Sequence, residues 1–418
     1  MVCTMARCYF RIPLLILSAQ LMIAQTSVLQ VLRFAKVWTG VSGSPILSPA
    51  IVVVENNRIV RIERDSGRNY PPGSTVVDLR RYSAIPGMID VHTHITYFWD
   101  RAPGTNPRRQ GRQHPAVRVV LAEDNARRTL AAGVTTIRDL NASDGTDYAL
   151  RDLIQMGKLT GPRIVAAGAG IGARPNPPGV EGIRKMVEER IAAGSDVIKL
   201  FGSTGGFENV TGKQTLTYEE MKAAVDATHA AGKRIAIHSY GAEGFRDAVK
   251  AGADSIEHGA DVDDATLREM AAKGIWFVPT IDHNRYYIDA ASVFQFAAGS
   301  DPGLRDYIAR NLDTAKRAHA AGVRFAMGSD AVYTMFGQNT RELEWLVKAG
   351  LSNEEALRAG TVNGAQLLGM QDRIGTLAPG MLADIVAVQG EPWVDVQTAI
   401  HNVRWVMKDG KVVVAVKQ

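Results

Sequence analysis

Cysteine is nearly missing from this chain. Its 418 residues include two, Cys3 and Cys8, and both lie at the extreme N-terminus. The rest of the chain can form no disulfide framework, thiolate metal site or cysteine nucleophile. Charge of one sign is also scarce. The net formal charge is +5, and no dense Lys/Arg run occurs. Binding to a phosphate backbone needs clustered cations, so nucleic acid is not an expected partner. No G-x-G-x-x-G follows a strand-like run, which argues against a doubly wound dinucleotide-binding sheet. Low-complexity segments are absent as well. What remains is an ordinary globular balance, 46% hydrophobic and 22% charged residues, in a chain long enough for a barrel with an accessory domain.

The first 25 residues read as an export signal. Arg7 and Arg11 precede the apolar run Ile12-Pro13-Leu14-Leu15-Ile16-Leu17, which continues through Leu21-Met22-Ile23-Ala24. That run is short for a membrane span and fits a signal core. Ala24 suits the last position before cleavage, whereas Met22 stands where a small residue is preferred. An uncleaved anchor or a misassigned start codon are the alternatives. Removal would leave a charge of about +3, no stable membrane span, and a periplasmic or secreted chain.

Both ends of the remainder are β-rich. Leu29–Phe34, Ile51–Val54 and Arg58–Ile62 precede Asp78, and Asp384–Val388, Val403–Met407 and Lys411–Val414 close the chain. The two ends are expected to pair into one β-sandwich domain, from residues 26–83 and 371–418. Between them, over 84–370, apolar runs alternate with helical stretches. The runs are Ala84–Ile95, Val134–Leu140, Arg163–Ala167, Asp196–Phe201, Arg234–Tyr240, Ser255–Gly259, Trp276–Ile281 and Val323–Asp330. Eight such units fit an α/β fold of the (β/α)₈ TIM-barrel type. The only repetition is this alternation.

Barrels place their chemistry at the C-terminal ends of strands, and this chain concentrates its unusual polar residues there. Strand one ends in His92-Thr93-His94, where period two turns both imidazoles to one side. Alone, the pair reads equally as two ordinary polar residues. Strand four carries Lys199 inside Val197-Ile198-Lys199-Leu200. A charged lysine in a buried parallel strand is costly, so it must escape to solvent, lose its proton or be chemically converted. A neutral amine can take up CO₂ as a carbamate, an anionic bridge for two cations. Strands five and six end with His238 and His258. Strand eight ends in Ser329-Asp330, which suits a metal ligand or general base and equally a helix cap. Jointly, six donors on strands one, four, five, six and eight close two metal sites.

These segments resemble the amidohydrolase superfamily, and within it the imidazolonepropionase-like branch of metal-dependent prolidases, Xaa-Arg dipeptidases and related carboxypeptidases. The likeness rests on Pro86-Gly87-Met88-Ile89-Asp90-Val91-His92-Thr93-His94, Gly133-Val134-Thr135-Thr136-Ile137-Arg138-Asp139, Gly161-Pro162-Arg163-Ile164, Ile198-Lys199 and Thr204-Gly205-Gly206. It continues through His238-Ser239-Tyr240, Ile256-Glu257-His258-Gly259, Gly328-Ser329-Asp330 and Gly375–Ile385. The resemblance implies that His92, His94 and Asp330 hold one divalent ion and His238 and His258 a second. Zinc is the default metal, and carbamylated Lys199 is the bridge. It further implies that Asp330 moves the proton of the attacking water, and that Tyr240 hydrogen-bonds the scissile carbonyl. One departure concerns the loop after Thr204-Gly205-Gly206. Branch members often continue with Ser and Pro, whereas this chain has Phe207-Glu208-Asn209-Val210-Thr211-Gly212-Lys213-Gln214.

The expected reaction is hydrolysis of the amide bond of a dipeptide or N-acyl amino acid. Lactone, carbamate or organophosphate ester hydrolysis on the same metals is the alternative. A cation is expected to meet the substrate carboxylate; the candidates are Arg138 after strand two and His283 or Arg285 in the loop after strand seven, Asp282-His283-Asn284-Arg285-Tyr286-Tyr287, each of which reads otherwise as a solvated loop charge. Deamination fits less well, because the His-x-x-Glu pattern on strand five is replaced by Gly241 and Ala242 after His238. A non-catalytic barrel would lack the metal ligands. The expected partner is a small or peptide-like substrate, and homo-oligomerisation stays open.

Overall fold

The computed structural model describes residues 29–99, 107, 113–172, 178–206, 210–291 and 300–415. The export segment therefore lies outside the described residues, as do Phe207, Glu208 and Asn209. Among the described residues, no helix is long and apolar enough to cross a membrane.

Seven strands from the two ends of the chain form one sheet. They are β1 (Leu29–Val37), β2 (Ala50–Glu55), β3 (Arg58–Arg64), β4 (Thr75–Pro86), β14 (Ile385–Val388), β15 (Val403–Lys408) and β16 (Lys411–Val414), in the order β16-β15-β14-β4-β1-β2-β3. β4 joins the ends: it runs parallel to β1 and antiparallel to β14. Alternation then fills one core from both ends, with Leu32, Phe34, Val52, Val54 and Leu79 meeting Ile385, Ala387, Trp405 and Met407. Val386, Val388 and Val406, of opposite parity, join the core of the barrel instead.

The barrel strands are β5 (Met88–Thr93), β6 (Val134–Asp139), β7 (Arg163–Ala166), the short β8 (Ile171–Gly172), β9 (Val197–Phe201), β10 (Arg234–His238), β11 (Ser255–Glu257), β12 (Trp276–Val278) and β13 (Arg324–Phe325). All their pairings are parallel. Helices follow the strands: α1 (Pro115–Ala131), α2 (Thr146–Gln155), α3 (Gly179–Ala192), α4 (Tyr218–Ala230), α5 (Ala242–Ala251), α6 (Asp264–Lys273) and α7 (Ile281–Asp289). The ladder closes beyond β13, where the Val91 N–H reaches Met327 O at 2.9 Å and the Asp330 N–H reaches His92 O at 2.7 Å. Strand one and the end of strand eight are thus neighbours, which sets Asp330 beside His92.

Two sequence expectations change here. The run Ala84–Ile95 is two strands. Ser83 to Pro86 pair with β14 in the accessory sheet, and the barrel strand starts at Met88. Gly87 is the joint. A Cβ there would lie 2.2 Å from Thr135 Oγ1, so only glycine allows the two sheets to meet so closely. The segment from Asp282 to Tyr287, read as a loop, lies in helix α7. Its first two N–H groups are taken by the buried Glu342 carboxyl, from Ile281 at 3.0 Å and Asp282 at 2.8 Å. A cap supplied from 60 residues away leaves no local sequence signal.

Candidate metal centre

The strand ends bring the expected donors together. His92 and Asp330 lie on neighbouring chain segments at the barrel closure, and His258 follows β11 directly. One ligand atom from each of His92, His258 and Asp330 lies within 4.8 Å of the others. His94 Nε2 stands 2.9 Å from Asp330 Oδ1. His238 packs against His258 with ring centroids 4.5 Å apart, and His258 against His92 at 5.2 Å. Lys199 is 2% exposed, and near enough to lower the basicity of His92, His238 and His258. The tightest group takes its members from both of the ligand sets that the resemblance suggests, with His258 rather than His94 completing it.

Burial sets the charge states. It presses the imidazolium forms of His92, to about 4, and of His238 and His258, well below the ordinary value. Neutral imidazoles are the ligand form. Burial also pushes Asp330 toward its acid form, but His283, His92 and His94 outweigh it and hold the carboxyl well below its ordinary range. Lys199 is lowered to about 8, chiefly by loss of solvent. His92 Nε2 and His238 Nε2 are buried without a hydrogen-bond partner. A buried polar atom left unpaired is costly unless something accepts its lone pair. Neutral imidazoles, an ionised carboxylate and a weakly basic lysine fit divalent cations of the zinc type.

The backbone around these donors is strained. His258 (φ +69°), Asp330 (φ +51°) and Thr280 (φ +50°) all lie in the left-handed region. For β-branched Thr280 this is costly, and such strain gathers at working sites. Thr280 Oγ1 is 2.6 Å from His258 Nδ1 and orients that ring. His283 braces Asp330 through the backbone: its Nδ1–H donates to the Asp330 carbonyl oxygen at 2.7 Å, and its Nε2 stands 3.3 Å from Oδ2.

Tyr240 is buried beside the histidines, 4.6 Å from His258 and 5.1 Å from His238 between ring centroids, and stacks on Tyr307 at 4.5 Å. Burial, followed by Tyr307, raises its phenol well above the ordinary value, so it keeps its proton. Gly205 makes room for it: a Cβ at that position would lie 2.3 Å from the tyrosine ring.

Two of the three substrate-carboxylate candidates are placed elsewhere. Arg138 is inside the barrel, where Nε donates to Val91 O at 2.5 Å, Nη1 to Ser255 Oγ at 3.1 Å and Nη2 to Glu257 Oε1 at 2.9 Å. Each of its three nitrogens thus has a protein partner. Arg285 is paired with Asp282 through Nε (2.7 Å) and Nη2 (3.0 Å), and with Asp289 through Nη1. Both guanidiniums are paired with carboxylates of the protein. His283 does reach the site, but through Asp330.

Three buried carboxylates escaped the sequence reading. Glu257 Oε2 accepts a hydrogen bond from His92 Nδ1–H at 2.8 Å. Asp90 accepts from Ser329, Asn339 and the His92 N–H. Glu342 caps α7, as described above. Asp90 and Glu257, like Lys199, are charges inside apolar strands, a signal that the sequence carries for both.

Comparison with known proteins agrees with this geometry. The model of the amidohydrolase family matches residues 83–413. Ochratoxinase of Aspergillus niger is 26% identical over 397 residues, covering 85% of this chain and 80% of that protein. Imidazolonepropionase of Micrococcus luteus is 25% identical, with 85% of this chain and 90% of that protein covered. The crystal structure of a Xaa-Pro dipeptidase with methionine bound in its active site superposes with a TM-score of 0.82 at 30% identity, covering 92% of this chain and 99% of that one. The chain belongs to the amidohydrolase family, in its imidazolonepropionase-like branch, and is a metal-dependent enzyme that hydrolyses amides.

Proposed function

We propose that this enzyme cleaves the amide bond of a dipeptide or N-acyl amino acid with two divalent ions, zinc by default, toward which a carbamate on Lys199 would serve as a shared anionic ligand. The observation that carries this reading is the convergence of His92, His258 and Asp330 within 4.8 Å, with His94, His238 and Lys199 closing around them. His92, His94 and Asp330 would hold one ion, and His238 and His258 the other, with His258 near enough to Asp330 to share the boundary. When bound, the ions would lower the pKa of water and polarise the substrate carbonyl.

The chain's own groups do the rest. The Lys199 amine, weakened by burial, forms an N–C bond with CO₂ and loses a proton, leaving a carbamate anion. Asp330, kept ionised by His283, His92 and His94, accepts the proton of the attacking water and returns it to the leaving nitrogen. The Tyr240 O–H donates to the oxygen of the carbonyl as charge develops there. The peptide-like substrate is supported by the likeness to a dipeptidase that holds an amino acid in its site.

The test is a screen of the zinc-loaded enzyme against dipeptides and N-acyl amino acids, with lactones, carbamates and phosphotriesters alongside. Release of free amino acid is the expected outcome. Turnover confined to the esters and carbamates would move the enzyme to the alternative substrate class.

A further inference from the structure

The most constrained buried charges in the barrel bind no substrate in the reading above. Arg138 leaves β6, strand two, and crosses the interior to β11, strand six, where Nη2 meets Glu257 Oε1 at 2.9 Å. The other oxygen of the same carboxylate, Oε2, accepts from His92 Nδ1 at 2.8 Å. Ser255 adds a third donor, its hydroxyl 2.5 Å from Oε1. Arg138 and Glu257 are 1% and 0% exposed, so neither is a surface pair held loosely by water. We infer that Arg138 and Glu257 form a positioning relay that selects the tautomer of His92 and aims its Nε2 at the metal.

A neutral imidazole has one N–H. A carboxylate only accepts, so the proton of His92 stands on Nδ1 and the lone pair on Nε2. That Nε2 is the buried nitrogen without a hydrogen-bond partner, on the side of His258 and Asp330. Were Glu257 free to rotate, His92 could turn or exchange tautomers and the ligand atom would be lost. Arg138 prevents this by occupying Oε1 while itself fixed at Nε by Val91 O and at Nη1 by Ser255 Oγ. Arg138 is therefore a ligand-positioning residue rather than a substrate contact.

A cavity of about 390 Å³ is lined by the same Arg138, with Asp196, Lys233, Arg234 and Leu367 among others. Arg234 and Asp196 stand at or just before the N-terminal ends of β10 and β9, so this space opens at the barrel floor, away from the metal donors. Truncating Arg138 would join its vacated volume to that cavity. A small planar cation could then enter from below.

The inference rests on the metal-binding reading of the site, and the experiment separates the two. Full-length protein is stripped with chelator, and its Zn²⁺ affinity is measured by competition with a chromophoric chelator. Glu257→Gln keeps the volume but turns an N–H toward His92 Nδ1, which forces the wrong tautomer. Its affinity at one site should fall about 10- to 100-fold, with circular dichroism unchanged. Arg138→Ala should lose affinity as well, and millimolar guanidinium chloride, too dilute to denature, should restore part of it. Glu257→Gln binding within twofold of wild type, or an Arg138→Ala loss that guanidinium leaves unchanged in folded protein, overturns the relay. Wild-type protein that takes up no Zn²⁺ overturns the metal reading and the relay together.

Discussion

Ser329 binds the Asp90 carboxylate twice, through its backbone N–H to Oδ1 at 2.9 Å and its hydroxyl to Oδ2 at 2.5 Å. The pair straddles the closure of the barrel: Asp90 stands two residues before His92, and Ser329 one residue before Asp330. Asn339 Nδ2 adds a donor to Oδ2 at 2.9 Å. Asp90→Ala would strand several buried donors, each costing about 1–3 kcal/mol. The urea midpoint should fall clearly and metal affinity with it. Ser329→Ala, which keeps the backbone N–H, should cost less. Equal urea midpoints for wild type and Asp90→Ala would remove this brace from the account.

Asp330→Asn tests the proton-transfer role. The amide oxygen can still face the site, so the variant should fold and retain metal, while turnover falls by about 10²- to 10⁴-fold, the usual worth of a positioned base. Metal content and turnover measured on the same preparation decide it. Near-wild-type turnover in the metal-loaded variant would end the assignment.

Lys199→Met preserves length and apolar character while removing the amine. Metal uptake by the stripped variant should drop, and turnover should be nearly lost. Short carboxylates such as formate should recover a fraction by replacing the missing anion. In wild type, reconstitution should be faster with added bicarbonate. Reconstitution indifferent to bicarbonate, together with full metal uptake by Lys199→Met, would remove the carbamate from the mechanism.

Asp147 provides a pH signature away from the metal donors. It accepts from the Gly168 N–H at 2.7 Å and the Tyr148 N–H at 2.9 Å, yet burial raises its carboxyl to about 6. The unfolded chain titrates near 4, so between about pH 4 and 6 the native state holds more protons than the unfolded one. Its contribution is complete below that window and is lost as pH rises through about 6. The stability difference between wild type and Asp147→Asn, from urea unfolding, should therefore fall across pH 4 to 6 and level off above. A difference that grows with pH there contradicts the shift.

Much of the site was legible because a strand's period of two and a barrel's polarity both act locally. His92, His94, His238, His258 and Asp330 could be placed on one rim from spacing alone, and Lys199 stood out as a charge in an apolar strand. The settings of Arg138 and Arg285 were not legible, because the sequence carries the charge of a side chain but not its partner. Glu257 lies 119 residues from Arg138, whereas Asp282 and Asp289 are near Arg285 only on a helix that had been read as a loop. The helical pattern of α7 was hidden because Glu342 caps it from a distant segment. The joint at Gly87 was invisible for a related reason: the apolar run continues through it while the chain passes from one sheet to another.

The most direct test of the account is amino-acid release from N-acyl amino acids and dipeptides by chelator-stripped enzyme titrated with Zn²⁺. The account predicts no turnover in the stripped protein and a rise that saturates near two equivalents of metal. Full turnover by the stripped protein would contradict it.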